Sequence, residues 1–150
     1  MHLFRGVDEF EKAVGAHLGY SEWHTVTQDQ INLFADATGD HQWIHVDPVR
    51  AAAGPFGDTI AHGYLTLSLA PKLAAGVYRV GGLSMGINYG TNTVRFITPV
   101  RVGSRLRAGV ELLGVAKSAH GVRATTRIAV ELEGSDKPAC VAEMVSLLVT

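Results

Sequence analysis

Residues 61–78 have the sequence AHGYLTLSLAPKLAAGVY, and this stretch decides the fold. Leucine, alanine, valine and tyrosine occur almost all round its helical projection. A helix without a polar face is stable only when other elements cover it. We therefore expect a buried central helix from about Ala61 to Tyr78, in which small residues such as Gly63 let strands approach closely.

Beyond Gly81-Gly82 the hydrophobic period changes to two, which is typical of strands. Apolar residues alternate with polar ones over 106–112 and again over 122–132, which predicts half-buried antiparallel strands. The segment Cys140–Val149 is apolar on both faces and should be a central strand. Two shorter strands are expected at Met85–Tyr89 and Thr93–Ile97.

The first half of the chain has helical patterns. A short amphipathic helix is expected over Val7–Ala16. Thr27 and Gln30 fit a capping box that opens a second helix, and Gly39 supplies its C-terminal stop. Pro48 after Asp47 predicts one or two further turns through Ala53.

One apolar helix and four or five antiparallel strands have a natural packing solution, in which the sheet curls around the helix. This is the α+β hot-dog arrangement, an antiparallel sheet wrapped around a long central helix. Without a linker or an internal repeat, residues 1–150 should form a single domain. The sequence is 47% hydrophobic and only 18% charged. This apolar excess indicates a homodimer, since one protomer cannot hide so much apolar surface.

Composition excludes several classes of protein. A net charge of −1 gives no basis for nucleic-acid or acidic-membrane partners. No segment has the 18 or so apolar residues that a membrane span needs, and the start of the chain does not resemble a signal peptide. The one cysteine, Cys140, cannot form an internal disulfide and is expected to be a buried core thiol. We expect a cytoplasmic protein.

The residues with the most informative chemistry flank the central helix. Asp40 follows the predicted helix stop at Gly39, and His45 lies five residues farther on. Gly63 lies at the predicted start of the central helix. A carboxylate, an imidazole and the amide groups of a helix N-terminus are the parts of a site that moves protons and stabilises an oxyanion.

Three motifs resemble the MaoC-like, R-specific enoyl-CoA hydratases of the hydratase 2 type. They are ATGDHQWIH at residues 37–45 followed by Ala51, AHG at 61–63, and RFITPVRVG at 95–103. The resemblance extends from about Trp23 to the C-terminus and is strongest to the short single-domain members of actinobacteria. It implies the reversible addition of water, without a cofactor, to a trans-2-enoyl group carried by coenzyme A or by acyl carrier protein.

The resemblance also implies residue roles. Asp40 and His45 match the catalytic pair that holds the water, and Gly63 matches the residue whose backbone N–H binds the thioester oxygen. Gln42 stands where the family commonly has Asn, so its amide is one methylene group farther from the backbone. We group Gln42 and His62 with Gly63 as substrate-binding candidates, although His62 could instead be a structural residue at the helix start.

An acyl pocket is expected around Trp43, Phe56 and Tyr64. Trp43 replaces a proline of the family pattern and could narrow that pocket. On a predicted strand, Arg95 could meet a coenzyme A phosphate or simply pair with an acid.

Each candidate has an ordinary structural alternative. Gly39-Asp40 could be a plain helix end and turn, and His45 a core histidine. The pair His41 and His45, with Asp40 and His62, suggests a metal site, but a loop would deny them a shared helix face. We therefore expect no metal.

Two other functions fit the same fold. The first is thioester hydrolysis, which usually needs a carboxylate on the central helix, and residues 61–78 contain none. The second is a non-catalytic acyl-binding subunit, which would usually lack the Asp–His pair.

Overall fold

The computed structural model describes all residues from 1 to 150 and contains eight strands and five helices. In chain order these are β1 (His2–Phe4), α1 (Val7–Glu11), β2 (His17–Tyr20), β3 (His24–Thr25), α2 (Gln28–Thr38), α3 (Trp43–Val46), α4 (Pro48–Ala52), α5 (Gly63–Ala74), β4 (Tyr78–Val80), β5 (Met85–Phe96), β6 (Arg105–Ser118), β7 (Gly121–Leu132) and β8 (Cys140–Val149).

The main sheet is antiparallel and has the order β2-β6-β7-β8-β5, with β3 also paired to β6. Helix α5 packs on β6, β7 and β8. Its buried side chains, including Leu69 and Leu73, meet inward-facing Val110, Ile128 and Cys140 in one core cluster. The predicted α+β hot-dog arrangement is therefore confirmed. Cys140 is fully buried, and burial raises the pKa of its thiol to about 11.

Helix boundaries in the first half follow the predicted caps. The Thr27 hydroxyl accepts the backbone N–H of Gln30 at 3.2 Å, and Gly39 ends α2 in the left-handed region at φ +76°. Asp47 likewise accepts the N–H of Arg50 at the start of α4. Only half of the capping box forms, because the Gln30 side-chain oxygen is within 2.9 Å of Nε2 of His24 instead of the cap.

The central helix is shorter than predicted, and it is not buried on every side. It begins at Gly63 and ends at Ala74. Tyr64, Ser68 and Lys72 form an exposed line at four-residue spacing. The prediction of complete burial was wrong because one curled sheet covers only part of a helix circumference.

Two other predictions differ from the structure. The strands expected at Met85–Tyr89 and Thr93–Ile97 are one strand, β5, which continues through irregularities after Asn88 and Thr91. It lies at an edge of the sheet, and nearly all its residues are exposed. Helix α1 ends at Glu11 rather than Ala16, because the chain turns at Gly15 and then forms β2.

The N-terminal residues close the far end of the core. Strand β1 pairs in parallel with β4, directly after the central helix. Phe4 and Phe10 are buried with Leu112, Ala124 and Leu148 in a second, smaller cluster. No helix combines the length and the hydropathy needed to cross a membrane.

Candidate active site

The segment from Gly39 to Asp47 presents the first two candidate residues. Gly39 ends α2, so the chain leaves the helix and exposes Asp40 in a loop. The next turn is the one-turn helix α3, which carries His45 inward to 6% exposure. His45 is therefore a buried residue of a short helix, not an exposed loop residue.

His45 is held in one tautomer by the backbone. Its Nδ1 is 2.6 Å from the carbonyl oxygen of Ile60, which can only accept, so Nδ1 carries the proton. Nε2 then has a free lone pair. Burial is the main cause that lowers the pKa of His45 below 6.5, and His62 lowers it further. At neutral pH this imidazole is uncharged and able to accept a proton.

His62 joins the loop to the start of the central helix. Its Nε2 donates to the backbone oxygen of Asp40 at 2.9 Å, and its ring is stacked on His45 with centroids 3.8 Å apart. Phe34 packs on the His62 ring at 4.9 Å. The remaining nitrogen, Nδ1, is buried and has no hydrogen-bond partner. An orphaned buried acceptor of this kind points to a bound water or a substrate group next to it.

Asp40, His45 and His62 form one compact polar group. A carboxylate oxygen of Asp40 and one nitrogen of each imidazole lie within 4.8 Å of one another. The Asp40 carboxylate also accepts the backbone N–H of Gln42 at 3.4 Å, which orients it over the following turn. The structure thus brings together the three predicted residues that can exchange protons.

The stacking of the two imidazoles bears on the metal alternative. A metal ion is bound along a nitrogen lone pair, in the plane of the ring. Rings 3.8 Å apart with planes only 24° apart do not direct two lone pairs at one ion. His41 is not part of the group, because its Nε2 is 2.8 Å from the exposed Asp36 carboxylate, which raises the pKa of His41. The geometry favours water over a metal at this position.

Gly63 lies beside the polar group at the first position of α5. Its backbone N–H makes no hydrogen bond within the protein. A Cβ at this position would lie 3.2 Å from the ring of Phe96, so glycine is needed here for space rather than for an unusual backbone angle. A cleft of about 310 Å³ opens at this point and is lined by residues that include Ile60, Thr66 and Pro99.

The predicted acyl-pocket residues do not line this cleft. Trp43 packs under the guanidinium of Arg50 at 4.4 Å, and Phe56 borders a separate groove with Arg101. Tyr64 is 70% exposed and contacts Phe96 edge to face. The exposed Gln42 caps α3 through its backbone position without a side-chain bond.

Sequence reasoning missed two residues that support His45. The amide of Gln28 donates to the backbone oxygen of His45 at 2.8 Å, and its carbonyl accepts the hydroxyl of Thr59, which is fully buried. Neither residue was a candidate in the sequence. No local pattern could show that residues so far apart in the sequence meet. Arg95, also considered earlier, forms no ion pair.

The sequence and the fold of this chain match those of several known proteins. Residues 9–133 match the family described as "MaoC like domain". The chain is 58% identical over 146 residues to 3-hydroxyacyl-thioester dehydratase Z of Mycobacterium tuberculosis, covering 97% of each chain. It superposes on the (R)-hydratase from A. caviae involved in PHA biosynthesis with a TM-score of 0.72 at 26% identity, covering 90% of this chain and 96% of the other. For the unliganded R-hydratase PhaJ1 from Pseudomonas aeruginosa the TM-score is 0.69 at 28% identity, with 91% and 81% covered.

Proposed function

The chain belongs to the MaoC-like family of dehydratases and hydratases, and from that premise we propose that it catalyses the reversible hydration of trans-2-enoyl-CoA to (R)-3-hydroxyacyl-CoA. One observation supports this most directly: a neutral, tautomer-fixed His45 lies within 4.8 Å of the Asp40 carboxylate, beside a free helix amide. Acid–base groups and an oxyanion donor are the requirements of this reaction.

In the hydration direction the water oxygen bonds to C3, and the electrons of the double bond move toward C2 and the thioester oxygen. The Asp40–His45 pair takes one proton from the water, and a proton from the pair reaches C2. His45 suits this role because it is neutral and presents an unprotonated Nε2. The reverse sequence eliminates water from the hydroxyacyl thioester.

Negative charge on the thioester oxygen needs donors that are already in place. The free N–H of Gly63 at the start of α5 supplies one, and the helix dipole adds to its effect. We assign to His62 the positioning of Asp40, through the bond to its backbone oxygen. The side-chain amide of Gln42, two residues after Asp40 and without a bond to the helix that follows, is proposed to contact the same water.

The enzyme acts, in this proposal, as a homodimer. Strand β5 pairs with β8 on one side only, so its other edge offers free backbone groups. Met85, Ile87 and Tyr89 on this strand are 43–60% exposed. A second copy paired along β5 would cover these side chains. Light scattering should give twice the chain mass at micromolar concentration, and a stable monomer would contradict this arrangement.

Thioester hydrolysis is less well supported by the structure. Helix α5 carries no carboxylate, and the one carboxylate of the polar group is on a loop. A non-catalytic acyl-binding role leaves the neutral His45 and the buried, unpartnered Nδ1 of His62 without a purpose. The product distinguishes these functions, because hydration removes the conjugated enoyl absorbance without releasing free thiol. Comparing enoyl-CoA with enoyl-acyl carrier protein in the same assay identifies the carrier.

Substitution of the pair tests the proposal. Asp40→Asn and His45→Gln should each lower kcat by roughly 10²–10⁴-fold, because each removes a proton-handling group. The double variant should be little worse than either single one, since groups that act as a unit are strongly non-additive. Asp40→Asn is exposed and should leave the melting temperature unchanged, whereas His45→Gln should lower stability by about 1–3 kcal/mol through loss of a buried hydrogen bond. Asp40→Asn with near wild-type turnover would end this assignment.

A further inference from the structure

His45 lies on a helix that is too short to hold it in place. Helix α3 spans only Trp43–Val46, which is about one turn. A helix of this length is not stable by itself in water, so bonds to other parts of the protein must fix its position. The carbonyl groups in the last turn of a helix have no partner within that helix. The backbone oxygen of His45 is one of them and needs a donor from elsewhere.

The side chain of Gln28 supplies that donor. Gln28 is the first residue of α2, and its Nε2 donates to the backbone oxygen of His45 at 2.8 Å. The same nitrogen donates its second hydrogen to Oδ1 of Asn32 at 2.9 Å. The Gln28 oxygen, Oε1, accepts the hydroxyl of Thr59. Both N–H groups and the oxygen of this amide are therefore in use, and a reversed amide would place its oxygen against the His45 carbonyl, which cannot donate.

Thr59 connects this amide to the carbonyl that fixes the tautomer of His45. Thr59 is fully buried, and its hydroxyl donates to Gln28. The next residue is Ile60, whose backbone oxygen is 2.6 Å from Nδ1 of His45. The backbone of Thr59 is also held, because its carbonyl accepts the N–H of Val102 at 2.9 Å. The Thr59 hydroxyl thus ties Gln28 to the segment that presents the Ile60 carbonyl.

Together these contacts form a closed ring of hydrogen bonds around His45. The Gln28 amide holds the His45 carbonyl, and the Thr59 hydroxyl holds the amide. The peptide bond then leads to Ile60, whose carbonyl accepts from the imidazole of His45. The N–H of Ile60 adds a bond to α3 through the backbone oxygen of Ile44 at 3.0 Å. The backbone and the imidazole of His45 are therefore fixed by one network.

This network decides which nitrogen of His45 is free. The tautomer of an imidazole is set by the hydrogen bond that one of its nitrogens makes. The Ile60 carbonyl can select the tautomer with the proton on Nδ1 only while it stays at bonding distance from that nitrogen. A proton acceptor must also lie within hydrogen-bond reach of the group that it deprotonates. A displacement of about 1 Å in an active site can lower the rate about 10²-fold.

We propose that Gln28 is a positioning residue for His45, and that together with Thr59 it keeps the imidazole in the tautomer that accepts a proton from water. Both residues act through His45. The effect on the rate rests on the proposed hydratase function, whereas the effect on the tautomer does not depend on any reaction. The two effects can therefore be measured separately.

Kinetics of three variants test the effect on the rate. Thr59→Val removes the hydroxyl with little change of shape, and Gln28→Leu removes the amide. Each should lower kcat for crotonyl-CoA hydration by about 10–10²-fold and leave KM nearly unchanged, because the proton acceptor is misplaced while substrate binding is not altered. Thr59→Ser keeps the hydroxyl and should retain most of the wild-type kcat. Combining Gln28→Leu with Thr59→Val should be little worse than Gln28→Leu alone, since both residues belong to one network.

NMR of the imidazole nitrogens reads the tautomer without any reaction. A protonated and an unprotonated imidazole nitrogen have well-separated chemical shifts, and the His45 signals are identified by their loss in His45→Gln. At neutral pH the wild type should show a protonated Nδ1 and an unprotonated Nε2. In Thr59→Val and Gln28→Leu both signals should move toward the average of the two tautomers. In Thr59→Ser they should stay at the wild-type positions.

Ser21→Ala is the matched control for stability. The Ser21 hydroxyl accepts the backbone N–H of Ala108 on β6 at 2.9 Å and donates to the backbone oxygen of Glu22, so it lies outside the network. Its removal should lower the melting temperature, as the other variants do, but should leave kcat and the His45 tautomer unchanged. If Gln28→Leu does not fold, Thr59→Val and Thr59→Ser decide the question.

Three results would overturn the proposal. They are a folded Thr59→Val protein with wild-type kcat, a fall in kcat without a change of tautomer, and an equal loss in Thr59→Ser and Thr59→Val. The hydratase function fails by a different result, which is a wild-type protein that does not hydrate crotonyl-CoA. The NMR comparison would still decide in that case whether Gln28 and Thr59 control the tautomer of His45.

Discussion

Replacing Gly63 by alanine tests where the thioester oxygen binds. The added Cβ would lie 3.2 Å from two carbons of the Phe96 ring and 3.3 Å from a third. These contacts are tight but not prohibitive, because Phe96 is 48% exposed and can move outward by a few tenths of an ångström. Alanine also restricts the unfolded chain, which is worth about 0.4–1 kcal/mol in its favour. We therefore expect the free energy of unfolding to change by less than about 1 kcal/mol.

Activity should fall strongly in the same variant, although its stability changes little. A methyl group next to the Gly63 amide, with Phe96 pushed toward the cleft mouth, keeps the thioester carbonyl away from its donor. Removing one oxyanion-hole donor costs about 10²–10³-fold in kcat. Gly63→Val should reach the upper end of that range, since its two methyl groups cannot avoid both the ring and the substrate. Loss of enoyl absorbance measured with crotonyl-CoA, beside thermal melting of the same samples, reports both quantities.

Phe96→Leu and the double variant Gly63→Ala with Phe96→Leu separate the two causes. Leucine relieves the contact with the new methyl group, so the double variant should recover any lost stability. If the methyl group itself blocks the carbonyl, the double variant stays as inactive as Gly63→Ala. Recovered activity would instead mean that displacement of Phe96 caused the loss. A folded Gly63→Ala protein with kcat/KM within threefold of wild type would refute the placement of the oxyanion site.

Two further predictions concern the histidines. The pKa of His45 is lowered from 6.5, so the acidic limb of the kcat/KM profile should lie below pH 6.5, and a limb above that value would contradict the neutral imidazole. The same shift also makes stability depend on pH. Below pH 6.5 the imidazole of His45 binds a proton more readily in the unfolded chain than in the folded protein. The contribution of His45 to the free energy of unfolding is therefore complete above pH 6.5 and is lost as the pH falls through the pKa of His45 in the folded protein. Urea titrations of wild type and His45→Gln should show this slope in the wild type only. His62→Phe keeps the stacking on His45 but removes the hydrogen bond to the backbone oxygen of Asp40. We therefore expect kcat to fall at least tenfold while the melting temperature changes by only a few degrees. An unchanged kcat would exclude a positioning role for His62.

Features fixed by nearby residues were predictable from the sequence. Thr27, Gly39 and Asp47 begin or end helices as expected, because capping depends on bonds between residues only a few positions apart. The alternation of β6 and β7 also predicted their pairing, which one tight turn at Ser118–Gly121 enforces. For the same reason the motif correctly placed Asp40 in a loop after α2, although the loop was also expected to contain His45, which lies in α3.

Features that depend on distant partners were not predictable. His45 looked like an exposed loop residue, but the carbonyl of Ile60 and the ring of His62 enclose it. The central helix looked fully buried because its sequence is apolar, although the sheet reaches only one side of it. In each case the sequence shows the chemistry of the side chain but not which residues it contacts in the folded protein.

The bonds around Ile60 have a consequence for how this protein can vary in length. The N–H of Ile60 donates to the backbone oxygen of Ile44 at 3.0 Å, and the backbone oxygen of Ile60 accepts from the ring of His45. These two bonds hold together the start and the end of the segment between His45 and Ile60. The residues between them form a loop segment whose ends are fixed. Inserting residues near Gly57 would lengthen only this loop segment, and doubling the length of a loop costs only about 0.6 kcal/mol in closure entropy. The molecule can therefore gain or lose surface next to its active site without moving the imidazole, which makes this segment the place where new specificity could be added.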